Sequence, residues 1–96
     1  MKIIALGHDA VEAGPEQFKP YLEEEAKRLW QLYQSGIIRE IYFRADHPDA
    51  VLVLECDSVQ EADRTLASLP LVRHGLISFD VIPLKAYPGF SRLFKN

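Results

Sequence analysis

The chain lacks the features of a disulfide-bonded, secreted or membrane-spanning protein. It has one cysteine, Cys56, so no internal disulfide framework is possible. Its uninterrupted apolar runs are a few residues long, far below the ~20 residues that a spanning helix needs. Residues 2–6 resemble a strand and have neither the apolar core nor the cleavage site of a signal peptide. We therefore expect a reduced, cytoplasmic protein that is not embedded in a membrane.

The patterns of several function classes are also missing. The 96 residues include 11 Lys and Arg against 14 Asp and Glu, and no basic run or RNA-binding aromatic motif favours nucleic acid as a partner. The glycines form no phosphate-binding loop, and no serine lies in a nucleophile elbow. The three histidines have no ligand spacing with one another or with Cys56, so we expect no metal site.

Two apolar runs at the centre of the chain predict a β-hairpin. Residues 37–44 and 51–56 are rich in β-branched and aromatic side chains, which suit a pleated surface. The residues between them include Pro48, which has no N–H to donate to a sheet ladder. The runs therefore indicate two strands joined by a turn over 45–49.

The flanking segments predict two helices and two further strands. Residues 2–7 are a short apolar strand, and a helical pattern runs from Pro15-Glu16 to Gln34 with a stop at Gly36. Ser58 and Glu61 have capping-box spacing, so a second helix should begin there and end at Pro70. Residues 76–84 form the last strand, in which Pro83 indicates an edge. The order β-α-β-β-α-β predicts one ferredoxin-like α+β domain over residues 1–96, with a four-stranded antiparallel sheet.

Both faces of this sheet are predicted to be covered. Apolar residues occupy odd and even positions of the central strands: Ile37, Ile41, Phe43, Val51 and Val53 on one parity, Ile38, Tyr42, Leu52 and Leu54 on the other. Two helices cover one face, so the second face needs a surface from outside the chain. A second copy of the sheet is the simplest cover, which predicts a homodimer or a higher homo-oligomer.

Residues 85–96 form a terminal segment that should dock. Phe90, Leu93 and Phe94 follow a Pro88-Gly89 turn at i, i+3, i+4 spacing. A short segment with three large apolar side chains is not a stable helix in water alone. It should therefore pack on the parent core or, as we favour, on the partner subunit.

With these elements placed, the chain resembles the muconolactone isomerase-like branch of the dimeric α+β barrel superfamily. Leu69-Pro70-Leu71 and the strand ending Val81-Ile82-Pro83-Leu84 carry the resemblance, which covers residues 16–88. It implies two sheets paired face to face in a dimeric α+β barrel, and chemistry without a cofactor. Muconolactone isomerases shift a proton and a double bond in a small acidic lactone. Residues 72–75 depart from the aromatic stretch usual after Leu-Pro-Leu, and no catalytic residue transfers by motif.

Glu25 is the polar residue most indicative of chemistry. Its helical angle falls between Leu22, Leu29 and Leu32, inside the apolar stripe of the first helix. A carboxylate packed against a sheet is desolvated, which raises its pKa and favours proton transfer near neutral pH. The alternative is a buried ion pair with an arginine.

The remaining candidates are cationic or aromatic side chains. Arg39 or Arg44 would face Glu25 or hold a substrate carboxylate. Trp30, Tyr33 and Tyr42 would bind a ring, or simply pack in the core. His8 beside the first strand is the better acid–base histidine and His74, after Leu-Pro-Leu, the second.

Three functions remain open. The first is a cofactor-independent isomerase of a small organic molecule, acidic or lactone-like. The second is a cofactor-independent monooxygenase of a phenol or quinone, with Trp30, Tyr33 and Tyr42 around the ring. The third is a non-catalytic dimeric module that binds a small molecule or a protein.

Overall fold

The computed structural model describes residues 1–95, and in this range four strands and four α-helices form the predicted ferredoxin-like α+β fold. Their bounds are β1 Lys2–Asp9, α1 Pro15–Phe18, α2 Leu22–Gln34, β2 Ile38–Phe43, β3 Ala50–Glu55, α3 Val59–Ala67, α4 Pro70–Arg73 and β4 Ile77–Pro83. The strands pair in the order β2-β3-β1-β4, and every pair is antiparallel. The predicted β-α-β-β-α-β order and the position of β4 at an edge are confirmed.

The first helical region is divided, whereas the sequence pattern predicted one helix up to Gln34. Lys19–Tyr21 form a 3₁₀ turn between α1 and α2. Pro20 causes the break, because it has no N–H for the helical hydrogen bond and its ring crowds the preceding turn. The C-terminal stop is as predicted, since Gly36 follows α2 with φ of +85°, a conformation that glycine adopts without strain.

The start of α3 confirms the capping prediction, but the helix ends before Pro70, which was predicted to stop it. The Ser58 Oγ accepts the Glu61 N–H at 3.1 Å, and Glu61 Oε2 accepts the Asp57 N–H at 2.8 Å. The helix ends at Ala67. Pro70 instead occupies the first position of α4, where the missing N–H costs nothing.

The core lies between the helices and one face of the sheet. The sheet contributes Ile3, Ala5, Ile38, Leu52 and Leu54, and the helices and the loop before α4 contribute Leu32, Ala62, Leu66 and Leu69. A register shift between Ile38 and Glu40 marks a bulge at Arg39. Because the bulge adds one residue, Ile38 faces the helices together with Ile41 and Phe43, although it occupies an even position in the sequence and they occupy odd ones.

The other face of the sheet, called the open face here, carries no helix among residues 1–95. The register and the side-chain alternation place Ile4, Leu6, Tyr42, Val51, Val53 and Ile82 on it. The sheet therefore has two apolar faces, as predicted, and only one of them is covered within the chain. A bilayer-spanning helix is absent from the described residues.

Two segments differ from their predicted extents or surroundings. β1 continues to Asp9, two residues beyond the predicted end, because Gly7, His8 and Asp9 pair with β4. In the terminal segment, Gly89–Leu93 form a 3₁₀ helix, and Phe90, Leu93 and Phe94 are exposed. These side chains do not dock on the core of their own chain.

The cap of α3 gives a direct stability test. Ser58→Ala removes the acceptor of the Glu61 N–H and should lower the free energy of unfolding by about 1 kcal/mol. The midpoint of urea denaturation measures this loss. Gln60→Ala is the matched control, since Gln60 is an exposed residue of the same helix; an equal loss in both variants would contradict a specific capping role.

Candidate functional site

A cavity of about 460 Å³ lies between the first two helices and the core-facing side of the sheet. Its sheet residues are Gly7, His8, Asp9, Ile41, Phe43, Ala50, Leu52, Ile77 and Phe79, and the other wall residues are Phe18, Leu22, Glu25, Ala26, Leu29, Pro48 and Leu71. All the sheet residues lie at the end of the sheet next to the β2–β3 turn. A mostly apolar pocket of this size fits a small organic molecule.

Gly7 shapes the floor of this cavity. A Cβ atom at Gly7 would lie 3.3 Å from the Ala50 carbonyl oxygen and 3.3 Å from Phe79 Cε1, tighter than ordinary contact. The absence of a side chain lets the Phe79 ring lie close against β1. Gly7 and Phe79 line the cavity side by side where the two strands pair.

Glu25 is the ionisable group that α2 places inside the apolar wall. Only 6% of the residue is exposed. Its Oε1 accepts the Leu71 N–H at 3.0 Å, one of the N–H groups at the start of α4 that have no partner within the helix. No hydrogen bond within residues 1–95 involves Oε2. Since no fully buried side-chain oxygen there lacks a partner, Oε2 is not fully buried, and Glu25 is one of the residues that line the cavity.

The protein environment of Glu25 stabilises the protonated, neutral form of its carboxyl relative to the same group in water. Burial raises the pKa of Glu25 above its ordinary value, and this effect exceeds the opposing effects of the Leu71 N–H and the Arg73 charge. The partner that fixes the carboxyl is thus a backbone N–H, whereas the sequence left a buried arginine pair as the alternative. A fixed carboxyl with a raised pKa suits proton transfer near neutral pH.

The two histidine candidates have side chains engaged outside this cavity. His8 borders the cavity, but its Nε2 lies 2.7 Å from Asp80 Oδ2 on the open face. Alternation along β1 places that side chain opposite to the face that Glu25 packs against. His74 follows α4, and its ring stacks on Tyr21 with centroids 4.0 Å apart. Their catalytic roles remain predictions, and no hydrogen bond within residues 1–95 joins either side chain to Glu25.

Four of the predicted binding residues come together in a neighbouring depression, called the α2–β2 groove here. It measures about 550 Å³ and is lined by Trp30, Tyr33, Arg39 and Tyr42, with Ala26, Leu29, Glu40 and Ile41. Trp30 and Tyr33 stack with centroids 5.8 Å apart, and the Tyr42 hydroxyl donates to Glu40 Oε1 at 2.6 Å. The groove shares Ala26, Leu29 and Ile41 with the cavity, so the two spaces are adjacent.

Arg44, the fifth predicted binding residue, lies in the β2–β3 connection outside both spaces. Its Nε and Nη2 donate to the two oxygens of Asp46 at 2.9 and 2.6 Å. This pairing lowers the pKa of Asp46 to about 2. Arg44 therefore fixes the turn in this chain, and a substrate role for it remains a prediction.

Several cavity residues had no signal at the sequence level. Phe18, Phe43 and Phe79 each read as ordinary packing residues, and their convergence depends on the sheet order. The Leu71 N–H was hidden because Pro70 was interpreted as a stop; proline at the first position of a helix was the available signal. No cluster of three metal-ligating side chains is present in residues 1–95.

The sheet order and the helices on one face define a ferredoxin-like α+β protein, here with a carboxyl inside an apolar cavity. The model of the muconolactone delta-isomerase family matches residues 10–89. The chain therefore belongs to the muconolactone delta-isomerase family.

Solved structures agree with this assignment at the level of the fold. The chain is similar to muconolactone isomerase, with a TM-score of 0.74 and 22% identity over 93% of both chains. It is also similar to the 5-chloro-2-hydroxyhydroquinone dehydrochlorinase of Burkholderia phenoliruptrix AC1100 in complex with 2,5-dihydroxybenzoquinone. That match has a TM-score of 0.63 and 17% identity, over 91% of this chain and 96% of the other. A search of curated proteins finds no match.

The raised pKa of Glu25 predicts a specific pH dependence of stability. The folded state holds the proton more tightly than the unfolded state does, so stability is lost as pH rises from the ordinary value of 4.5 through the raised value. Glu25→Gln keeps an oxygen for the Leu71 N–H and removes the ionisation. The variant should equal the wild type near pH 4 and exceed it in free energy of unfolding near pH 7, by about 1.4 kcal/mol for each unit of pKa elevation.

Urea denaturation at a series of pH values measures this difference. Glu24→Gln is the control, because Glu24 is an exposed neighbour on the same helix. A difference between Glu25→Gln and the wild type that is independent of pH would contradict a raised pKa at Glu25.

Proposed function

We propose that this protein is a cofactor-independent isomerase that shifts a proton, and with it a double bond, in a small lactone-like or acidic molecule. The observation that carries the proposal is the Glu25 carboxyl, held by one oxygen and accessible through the other in an apolar cavity of about 460 Å³. Such a group accepts a proton at one carbon and returns it at another without a second reagent. Family membership supports the same chemistry.

The chain's residues suggest how the two proton transfers would proceed. The ionised Oε2 removes a proton from a carbon next to a carbonyl, and the electron pair of the broken C–H bond moves into the dienolate. The protonated carboxyl then delivers that proton to the far carbon, which leaves the double bond shifted and Glu25 ionised again. The Leu71 N–H fixes the carboxyl in both steps, and mostly apolar side chains surround it.

The related structures support a small oxygenated ring as the substrate class. One is a muconolactone isomerase, and the other is a dehydrochlorinase in complex with a dihydroxybenzoquinone. Phe18, Phe43 and Phe79 give this cavity apolar walls that suit a flat ring.

Substitution of Glu25 tests the proposed reaction. Wild-type protein in aerated D2O with a panel of butenolides and quinols should introduce deuterium at one carbon or shift a double bond, both visible by proton NMR. Glu25→Gln should reduce that rate by about 10² to 10⁴, because the amide does not accept the proton. Glu24→Gln should keep the wild-type rate. Full activity in Glu25→Gln would contradict the assignment of Glu25.

The aromatic α2–β2 groove favours a second candidate, a monooxygenase of a phenol or quinone that needs no cofactor. Trp30, Tyr33 and Tyr42 line one groove beside Arg39, and aromatic side chains of this kind can pack against the ring of such a substrate. The same NMR panel separates the two functions. Isomerisation proceeds without dissolved oxygen, whereas an oxygenated product that disappears under argon would favour the monooxygenase.

The open face supports a homo-oligomer. Ile4, Leu6, Val51 and Val53 form its apolar centre, and a second copy of the same face would cover them and complete a dimeric α+β barrel. The free thiol of Cys56 also fits a reducing, cytoplasmic location.

A charge in the open face should prevent this assembly. Val53→Glu would place a carboxylate inside the proposed interface, and the protein should become a monomer at micromolar concentration by light scattering coupled to gel filtration. Val11→Glu is the matched control, since Val11 is fully exposed in a turn, and it should leave the oligomer intact. A wild-type monomer at that concentration would contradict the proposed dimer.

A further inference from the structure

The terminal segment presents apolar side chains that the chain itself leaves uncovered. Tyr87, Phe90, Leu93 and Phe94 are between 66% and 78% exposed. Each large apolar side chain is worth about 1.5–3 kcal/mol when it is transferred from water into a protein interior. Four of them within eight residues form a surface that favours a partner.

The course of the chain directs this segment away from its own cavity. β4 ends at Pro83, opposite Ile3, and the Leu84 N–H donates to the Lys2 carbonyl at 2.9 Å. The cavity begins four residues further along β1, at Gly7, at the other end of the sheet. The Cα radius of gyration is 15.9 Å. A compact chain of this length would have about 12.5 Å, so the molecule is elongated, as a projecting segment would make it.

The cavity is open on an apolar rim. Phe43 is 75% exposed and Leu22 is 51% exposed although both line it. A catalytic carboxyl functions best where water is excluded, and in the single chain the cavity mouth admits water. The rim therefore needs an apolar cover.

The charges of the segment and of the cavity are complementary. Asp9 and Glu25 line the cavity, and no Lys or Arg does so among residues 1–95. The segment from residue 85 onward carries Lys85, Arg92 and Lys95 and has no acidic residue. An acidic substrate, if the proposed function holds, would find no Lys or Arg among the residues that line the cavity of a single chain, whereas this segment would bring one to its mouth.

We propose that residues 87–94 of a second copy close the cavity, with Phe90, Leu93 and Phe94 against the apolar rim and a basic side chain near its mouth. The site is then shared between two chains. The substrate side of this proposal rests on the proposed function, whereas the closure rests on the two surfaces alone.

The segment is long enough for this contact. With Gly89–Leu93 in a 3₁₀ helix and the other residues extended, residues 84–94 span about 30 Å. The two shorter dimensions of the molecule are 29 and 20 Å, so the segment can cross a neighbouring copy. In a two-fold assembly the contact is reciprocal, and each chain would close the cavity of the other.

Complementation between two inactive variants tests the shared site. Glu25→Gln keeps the terminal segment and lacks the proton acceptor, whereas a chain ending at Lys85 keeps the acceptor and lacks the segment. Each alone should be inactive. After the two are unfolded together and refolded at equal amounts, random pairing should give about one quarter of the wild-type activity, because one site in each mixed dimer is complete. Full activity of the truncated chain alone, or no recovery on mixing, would overturn the proposal.

Disulfide cross-linking tests the closure of the cavity without an activity measurement. A tagged Phe43→Cys chain mixed with an untagged Leu93→Cys chain should form a covalent tagged–untagged dimer under mild oxidation, resolved by mass on a non-reducing gel. Tagged Trp30→Cys is the matched control, because Trp30 is an exposed aromatic in the α2–β2 groove. Cys56 is buried and remains in every chain. Cross-linking to position 30 in place of position 43 would overturn cavity closure.

Together, the two experiments distinguish a failure of the isomerase proposal from a failure of the shared-site proposal. A cross-link at position 43, in a protein that converts no substrate of the panel, would support cavity closure and contradict the proposed isomerase activity. Turnover by the wild type, with no cross-link at position 43 and no complementation, would retain the isomerase and overturn the shared site.

Discussion

The hydrogen bond from the Leu71 N–H to Glu25 Oε1 is the contact on which the candidate site depends. It joins α2 to the start of α4 and places a carboxyl inside a wall that is otherwise apolar. A hydrogen bond to an ionised carboxyl contributes about 1.5–3 kcal/mol, enough to offset part of the cost of burial. The bond occupies one oxygen, so the geometry that stabilises the carboxyl also leaves the other oxygen for chemistry. In the proposed reaction the two oxygens of this side chain would have different roles, since one holds the carboxyl in place and the other would transfer the proton.

The sheet separates the molecule into two sides with different surroundings. Its helix-covered face contains the core, and at the end beside the β2–β3 turn the same face widens into the cavity. The open face has no such cover within the described chain and carries the His8–Asp80 pair among aliphatic side chains. Both residues are exposed, and the strand register places the pair, with Ser78, at the end of this face next to the β2–β3 turn. Because side chains alternate along β1, neighbouring residues of this strand lie on opposite faces of the sheet.

The sequence predicts the order of elements well because periodicity and capping are local properties. Ser58 with Glu61 set the start of α3, and Gly36 set the end of α2, as the pattern indicated. Pro20 and the bulge at Arg39 were missed, since each shifts the register of a run whose composition looks continuous. The burial of Glu25 followed from its helical angle.

The partner of Glu25 and the three phenylalanines of the cavity did not follow from local pattern. Phe18, Phe43 and Phe79 are brought together by the sheet order, a long-range property that a single sequence does not display. His8 is on the far face because β1 continues through Gly7 instead of ending there. Each of these placements changes which residues can share a site with Glu25, although none changes the fold.

Closure of the cavity by a second chain would join assembly to the acidity of Glu25. Burial is the largest influence on this carboxyl in the single chain, ahead of the Leu71 N–H and the Arg73 charge. An apolar cover would remove more water and raise the pKa further, whereas a basic side chain carried on the same segment would lower it. The two effects oppose each other, so the segment would adjust the proton affinity of the carboxyl while it excludes solvent. Arg92 lies between Phe90 and Phe94 in the sequence, and one short segment therefore carries both the apolar cover and the charge.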